Sequence, residues 1–194
     1  MLRYAITDGE GAGTCAAMRA RRWAEEGVEY VQLREKQMAA GEMVRLAEWM
    51  VGVFAEHGGK TKLLVNGRAD VAVAAGADGV HLTSVAGEMT AEQVRRVFAG
   101  AGKGEPVVSA SCHTLDEVGH AVGGGLGMVL FGPVFEKRVE GELVVRGLEL
   151  MMLQAACVIA GKLPVLALGG VTAENAAACV QAGAAGVAGI RLFE

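Results

Sequence analysis

Apolar runs of four or five residues recur along the chain, each followed by small or polar residues and then by a longer amphipathic stretch. Runs as short and continuous as Val165-Leu-Ala-Leu168 suit strands buried on both faces, as in a parallel sheet. They predict strands over 4–8, 30–34, 62–66, 79–82, 107–111, 128–131, 165–168 and 186–190. The stretches between them carry helical spacing. Ala16, Ala17, Ala20, Trp23 and Ala24 share one face of a predicted helix over 15–26, and Val44, Ala47, Met50, Val51 and Phe54 one of a helix over 43–57. Further helices are predicted over 69–75, 91–98, from Thr114 onward, over 148–160, and from about Ala173 to Gly183 with Thr172 as N-cap. The charged stretch 136–142 reads as a loop.

One βα unit is reused. Ala75-Gly-Ala-Asp-Gly-Val80 and Ala182-Gly-Ala-Ala-Gly-Val187 share a helix end, a turn and a strand start, and Glu26-Gly-Val-Glu-Tyr-Val31 is a looser copy. Strand and helix alternating eight times make an α/β domain spanning 1–194 that closes most simply into a (β/α)8 barrel. An open doubly wound sheet is the other arrangement this order permits. Glu194 follows the last strand directly, so the final C-terminal helix is expected to be short or absent. The groove left beside the first and last strands is then expected to be covered by self-association, as a homo-oligomer.

Composition narrows the functions. The chain of 194 residues is 52% hydrophobic, with mean hydropathy +0.35 and net charge −4. Its Lys and Arg are scattered, which disfavours nucleic acid as a partner. No apolar run reaches the ~18 residues of a membrane span, and Met1-Leu-Arg3 leads straight into the first strand, so no membrane partner and a cytoplasmic location are expected. Cys15, Cys112, Cys157 and Cys179 lie far apart, which fits separate thiols in a reducing compartment rather than a disulfide frame or a zinc site.

Polar residues cluster where the predicted strands end, the end of a barrel that carries its chemistry. Gln32, Arg34, Glu35 and Lys36 follow the second strand, Asn66 and Arg68 the third, His81, Thr83 and Ser84 the fourth, and Ser109, Ser111 and His113 the fifth. Gly132 ends the sixth, Gly169 and Gly170 the seventh, and Gly189, Ile190 and Arg191 the eighth. Alternation places Gln32, Arg34 and Lys36 on one face. That face either lines the barrel mouth or forms ordinary ion pairs with Glu35 and a neighbouring acid. His81, inside an apolar strand, reads as structural. His113 precedes a helix N-terminus, where a second positive charge is disfavoured. A neutral imidazole there can accept a proton and return it. The run from Pro164 through Gly169-Gly170 to Asn175 offers backbone N–H groups to an anion, phosphate above all. Its alternative is a tight turn that binds nothing.

These residues resemble the thiamine-phosphate synthase and thiazole tautomerase (TenI-like) superfamily over nearly the whole chain. The matching segments are Tyr4-Ala-Ile-Thr-Asp8, Val31-Gln-Leu-Arg-Glu-Lys36, Leu64-Val-Asn-Gly-Arg68, Gly76-Ala-Asp-Gly-Val-His-Leu82, Ser111-Cys-His-Thr-Leu-Asp-Glu117, Leu130-Phe-Gly-Pro-Val-Phe135 and Ala167-Leu-Gly-Gly-Val171. The resemblance implies a (β/α)8 barrel and a thiazole phosphate whose phosphate is held by Gly169, Gly170, Gly189 and Ile190. The synthase branch implies Mg²⁺ ligands and a pyrophosphate clamp. Here Gly67 stands where its pattern has an Asp, Glu88 lies further along than its second acid, and Glu136-Lys-Arg-Val139 replaces a Thr-x-Thr-Lys pattern. The tautomerase branch is matched more closely at Asn66-Gly67-Arg68, at Leu130-Phe-Gly132 and through the loop from Glu140 to Arg146-Gly147. It implies an isomerase of thiamine biosynthesis without a metal or other cofactor, with His113 as acid and base and with Arg34 or Lys36 on a substrate carboxylate; the synthase and a non-catalytic thiazole-phosphate-binding member are the alternatives. Ser111 belongs to the same strand end. Arg191 replaces a small hydroxyl residue, and Cys112 reads as packing.

Overall fold

The computed structural model describes residues 1–7, 9, 13–84, 87–139, 142–145 and 147–193. Asp8 and, within the expected loop, Glu140, Gly141 and Arg146 lie outside them. Eight parallel strands close into a barrel: β1 (Leu2–Ile6), β2 (Tyr30–Leu33), β3 (Lys62–Asn66), β4 (Gly79–Leu82), β5 (Val107–Cys112), β6 (Met128–Phe131), β9 (Val165–Leu168) and β10 (Gly186–Gly189). Between β6 and β9 stands a small antiparallel pair, β7 (Lys137–Val139) and β8 (Glu142–Val145). The helices are α1 (Gly13–Glu25), α2 (Ala40–Glu56), α3 (Ala69–Ala75), α4 (Ala91–Gly100), α5 (Leu115–Ala121), α6 (Glu149–Ala160) and α7 (Ala176–Gln181). The closed barrel settles the sequence-based choice against an open sheet.

Alternation along each strand sorts the residues. Tyr4, Ile6, Leu64, Met128, Leu130, Leu166 and Ala188 form one apolar cluster. Their sequence neighbours, including Ala5, Leu63, Val65, Val129, Val165, Ala167 and Val187, pack with residues of the surrounding helices. The interior parity of β2, β3, β4 and β5 also carries Gln32, Asn66, His81, Ser109 and Ser111. These lie in register from strand to strand: Asn66 pairs with His81, and His81 with Ser109. The core is apolar on one side of the barrel and hydrogen-bonding on the other, toward the strand ends where the candidates lie.

The repeated Gly-Ala-x-Gly motif has two separate causes. Gly76 and Gly183 take left-handed φ values of 70° and 104° at helix ends, where an L side chain is disfavoured. Gly79 and Gly186 open strands pressed against a neighbour: a Cβ would lie 1.8 Å from the Val107 carbonyl oxygen and 2.1 Å from that of Leu2. One glycine of each pair ends the helix and the other lets the next strand close up.

One expectation is corrected. Thr172 is not the N-cap of α7, which begins three residues later with Asn175 at the cap. The Asn175 carboxamide instead binds the turn itself, accepting from the Thr172 amide at 2.8 Å and donating to the Gly170 carbonyl at 3.0 Å. Phe193 packs against both helix-facing clusters, and the Trp23 indole, fully buried on α1, donates to the Phe193 carbonyl at 3.0 Å.

Candidate active site

Two cavities open side by side at the C-terminal strand ends. The first, of about 440 Å³, is lined by Gln32, Arg34, Lys36, Asn66, His81, Ser111 and His113 among others. The second, of about 660 Å³, is lined by Gly169, Gly170, Gly189 and Arg191. Leu168 and Ile190 line both, so they form the shared wall. The shared face predicted for Gln32, Arg34 and Lys36 is thus the mouth face. Gly132 lines neither cavity; it acts from behind His113.

The sequence holds His113 in a defined protonation geometry. Thr114 caps α5, accepting from the Glu117 amide at 3.1 Å, and the Glu117 side chain returns to the Thr114 and His113 amides. This box fixes the backbone just past β5. The His113 Nδ1 lies 2.6 Å from the Gly132 carbonyl oxygen. A carbonyl only accepts, so Nδ1 carries a proton, and in the neutral ring the lone pair is on Nε2. Position 132 must be glycine here, since a Cβ would lie 2.0 Å from the Leu168 carbonyl oxygen.

Beneath the mouth the polar groups are interlinked. Gln32 Nε2 donates to Asn66 Oδ1 at 2.8 Å, while Gln32 Oε1 is buried without a hydrogen-bond partner. His81 bridges Ser109 and Ser111, each at 2.9 Å, from its two ring nitrogens. Burial first, and the nearby Arg34 charge second, push its pKa down to about 3. The sequence reading of His81 as structural missed that it lines the mouth and holds Ser111. Its register opposite Asn66 and Ser109 was the available signal. Cys112 faces away among apolar residues and packs, as expected; burial raises its thiol pKa to about 11.

The glycine turn is rigidly seated. Gly169 and Gly170 have φ of 90° and 65°. The Gly169 carbonyl accepts from the Phe135 amide at 3.0 Å, and the Leu168 carbonyl from the Val134 amide at 2.8 Å. Arg191 is an exposed cation on the cavity wall, and Glu174 is an acid on the same wall that sequence reasoning did not single out.

A third cavity, of about 420 Å³, shares Lys36, Asn66 and Thr83 with the mouth and adds Glu35, Gly67, Arg68 and Glu88. Glu88 folds back to the end of β4 despite its longer spacing. Its Oε2 accepts from the Thr83 hydroxyl at 2.8 Å and the Thr83 amide at 3.2 Å, and lies 3.4 Å from where a Gly67 Cβ would stand. Arg68 forms a bidentate pair with Asp70 at 2.8 and 2.6 Å, at the edge of this space.

Comparison with known proteins agrees with this architecture. The TMP-TENI family, described as thiamine monophosphate synthase, matches residues 3–193. A Geobacter sulfurreducens protein provisionally named thiamine-phosphate synthase is 38% identical, covering 95% of this chain and 83% of its own length. A Roseiflexus thiamine-phosphate synthase is 34% identical over 95% of this chain and 75% of its own. The solved structure of a Pyrococcus furiosus thiamine phosphate pyrophosphorylase superposes with a TM-score of 0.80 at 26% identity, covering 97% of this chain and 85% of the other.

Proposed function

The chain belongs to the thiamine monophosphate synthase (TMP-TENI) family, and from that premise we propose that it is an enzyme of thiamine biosynthesis that tautomerises a carboxythiazole phosphate. The observation that carries the reading is the Nδ1 bond of His113 to the Gly132 carbonyl, which presents Nε2 as a base beside the mouth. The phosphate occupies the cavity at Gly169, Gly170, Gly189 and Ile190, with Arg191 as an outer cation. The ring then crosses the Leu168–Ile190 wall into the mouth, and its carboxylate meets Arg34 and Lys36. His113 Nε2 takes a proton from a ring carbon. The C–H electrons become part of the aromatic ring, the exocyclic double bond shifts, and a proton is delivered to the side-chain carbon. Removing such a base costs about 10²- to 10⁴-fold in rate.

Thiamine-phosphate synthesis is the second reading, and the names of the relatives favour it over the first. It calls for a metal that neutralises a departing pyrophosphate. The donors present do not fit that task. Position 67 offers no side chain, and Glu88 is already engaged at the end of β4, Oε2 with Thr83 and Oε1 with the Met89 amide at 3.0 Å.

The two readings separate in one pair of assays. The tautomerase converts its carboxythiazole phosphate in excess EDTA and collapses in His113→Ala. Magnesium-dependent release of pyrophosphate from a pyrimidine diphosphate and thiazole phosphate, with no tautomerisation, replaces it with the synthase.

A further inference from the structure

The polar side of the barrel interior contains more hydrogen-bonding groups than the reaction uses. Tyr4, on β1, is fully buried, and its hydroxyl lies 3.1 Å from Ser109 Oγ and 3.4 Å from His81 Nδ1. Ser109 is also fully buried, and its Oγ lies 2.9 Å from His81 Nδ1. His81 Nε2 lies 2.9 Å from Ser111 Oγ, and Ser111 lines the mouth.

Counting protons gives this row a direction. The Tyr4 and Ser109 hydroxyls each carry one proton that must be donated, because a buried unpaired donor costs about 1–3 kcal/mol. The acceptors they reach are each other's oxygen and His81 Nδ1. If Nδ1 carried the ring proton, three donors would compete for two oxygens. The two hydroxyls cannot each donate to the other, so one proton would be stranded. If Nδ1 accepts, each proton has a place, and the shorter contacts set the order: Tyr4 donates to Ser109 at 3.1 Å, and Ser109 donates to His81 at 2.9 Å. The ring proton of the neutral imidazole then sits on Nε2 and goes to Ser111 Oγ.

We propose that Tyr4, Ser109 and His81 are positioning residues that form a one-way hydrogen-bond chain, fixing Ser111 as a donor into the mouth. Ser111 Oγ already accepts from His81, so its own proton is free for a ligand. It offers that proton to a lone pair, such as a carboxylate oxygen or ring nitrogen. Its use in turnover rests on the reading that the mouth binds the thiazole substrate; the direction of the chain does not. A donor fixed in this way needs no rotation when negative charge develops on the ring, which is the advantage of a preorganised site.

The test is the tautomeric state of His81 in the intact protein, read from ¹⁵N-histidine NMR and assigned by the signal lost in His81→Gln. The expected result is a single neutral tautomer with its proton on Nε2. A proton on Nδ1, or an average of the two tautomers, overturns the proposal. Combining Tyr4→Phe with Ser109→Ala removes both hydroxyl donors, and the signal then averages; if that variant does not fold, the wild-type spectrum still decides. In turnover, Ser111→Ala lowers kcat/KM about tenfold, the worth of one good hydrogen bond. Ser109→Ala, costly alone, then costs less than about twofold in the Ser111→Ala background, because both act through one hydroxyl. Additive losses mark Ser109 as merely structural and overturn the proposal. A protein with the expected tautomer that turns over no thiazole substrate keeps the chain and loses the proposed function.

Discussion

Gly169→Ala probes the phosphate turn with a magnitude worked from the structure. At φ of 90° an alanine sits in the left-handed region, which costs about 1–2 kcal/mol. Its Cβ would also lie 2.6 Å from the Cα and Cβ of Pro133. Those atoms are backbone and ring and cannot swing aside, and overpacking of that kind costs about 1–3 kcal/mol more. The total is about 2–5 kcal/mol. Gly59 supplies the control, because it has φ of 64° with nothing within 4 Å of an added Cβ. Gly59→Ala therefore costs only the left-handed penalty, about 1–2 kcal/mol. Urea denaturation of both variants, with m-values checked for equality, should place Gly169→Ala about 1–3 kcal/mol below Gly59→Ala. At roughly 2–4 °C per kcal/mol, that is a further drop in Tm of about 2–12 °C. Calorimetric titration with inorganic phosphate should show weakened binding in Gly169→Ala alone. Equal midpoints for the two variants would refute the claim that contact with Pro133 shapes this turn.

Trp23→Phe should destabilise the barrel by about 1–3 kcal/mol in urea, since it strands the Phe193 carbonyl and leaves a small void beside α1. His81 predicts an acid dependence. Its folded pKa of about 3 lies below the ordinary 6.5, so between those values the unfolded chain binds the proton and the folded one does not. Stability therefore falls as pH drops below 6.5, by at most about 1.4 kcal/mol per unit from this group. The stability gap between wild type and His81→Gln should shrink from pH 7 to pH 4; a constant gap contradicts the buried neutral ring. Thr114→Ala should lower stability by about 0.5–2 kcal/mol and reduce turnover as well, because the same capping box fixes the backbone at His113.

The barrel was readable because continuous apolar runs and a repeated Gly-Ala-x-Gly motif encode strand burial and strand contact directly. The strand-end candidates were readable because alternation fixes which face each residue takes: Gln32, Arg34 and Lys36 do share one cavity. Features that depend on side-chain reach were not. Thr172 looks like a helix cap, but three residues on Asn175 has a carboxamide long enough to bind both ends of the turn. Glu88 looked too distant because spacing along a loop does not report where the loop returns. The β7–β8 pair was hidden under its charge, which made the stretch read as a loop. His81 was underrated because an apolar sequence context does not show that its register neighbours are Asn66 and Ser109.

The central claim is that His113 moves protons on a thiazole phosphate anchored at the glycine turn. Solvent deuterium reports this directly. With carboxythiazole phosphate in D₂O and EDTA, the wild-type protein should place deuterium on the side-chain carbon of the aromatic product, and His113→Gln should slow its appearance by about 10²-fold or more. Undiminished deuterium incorporation in His113→Gln, or none in the wild-type protein, contradicts the account.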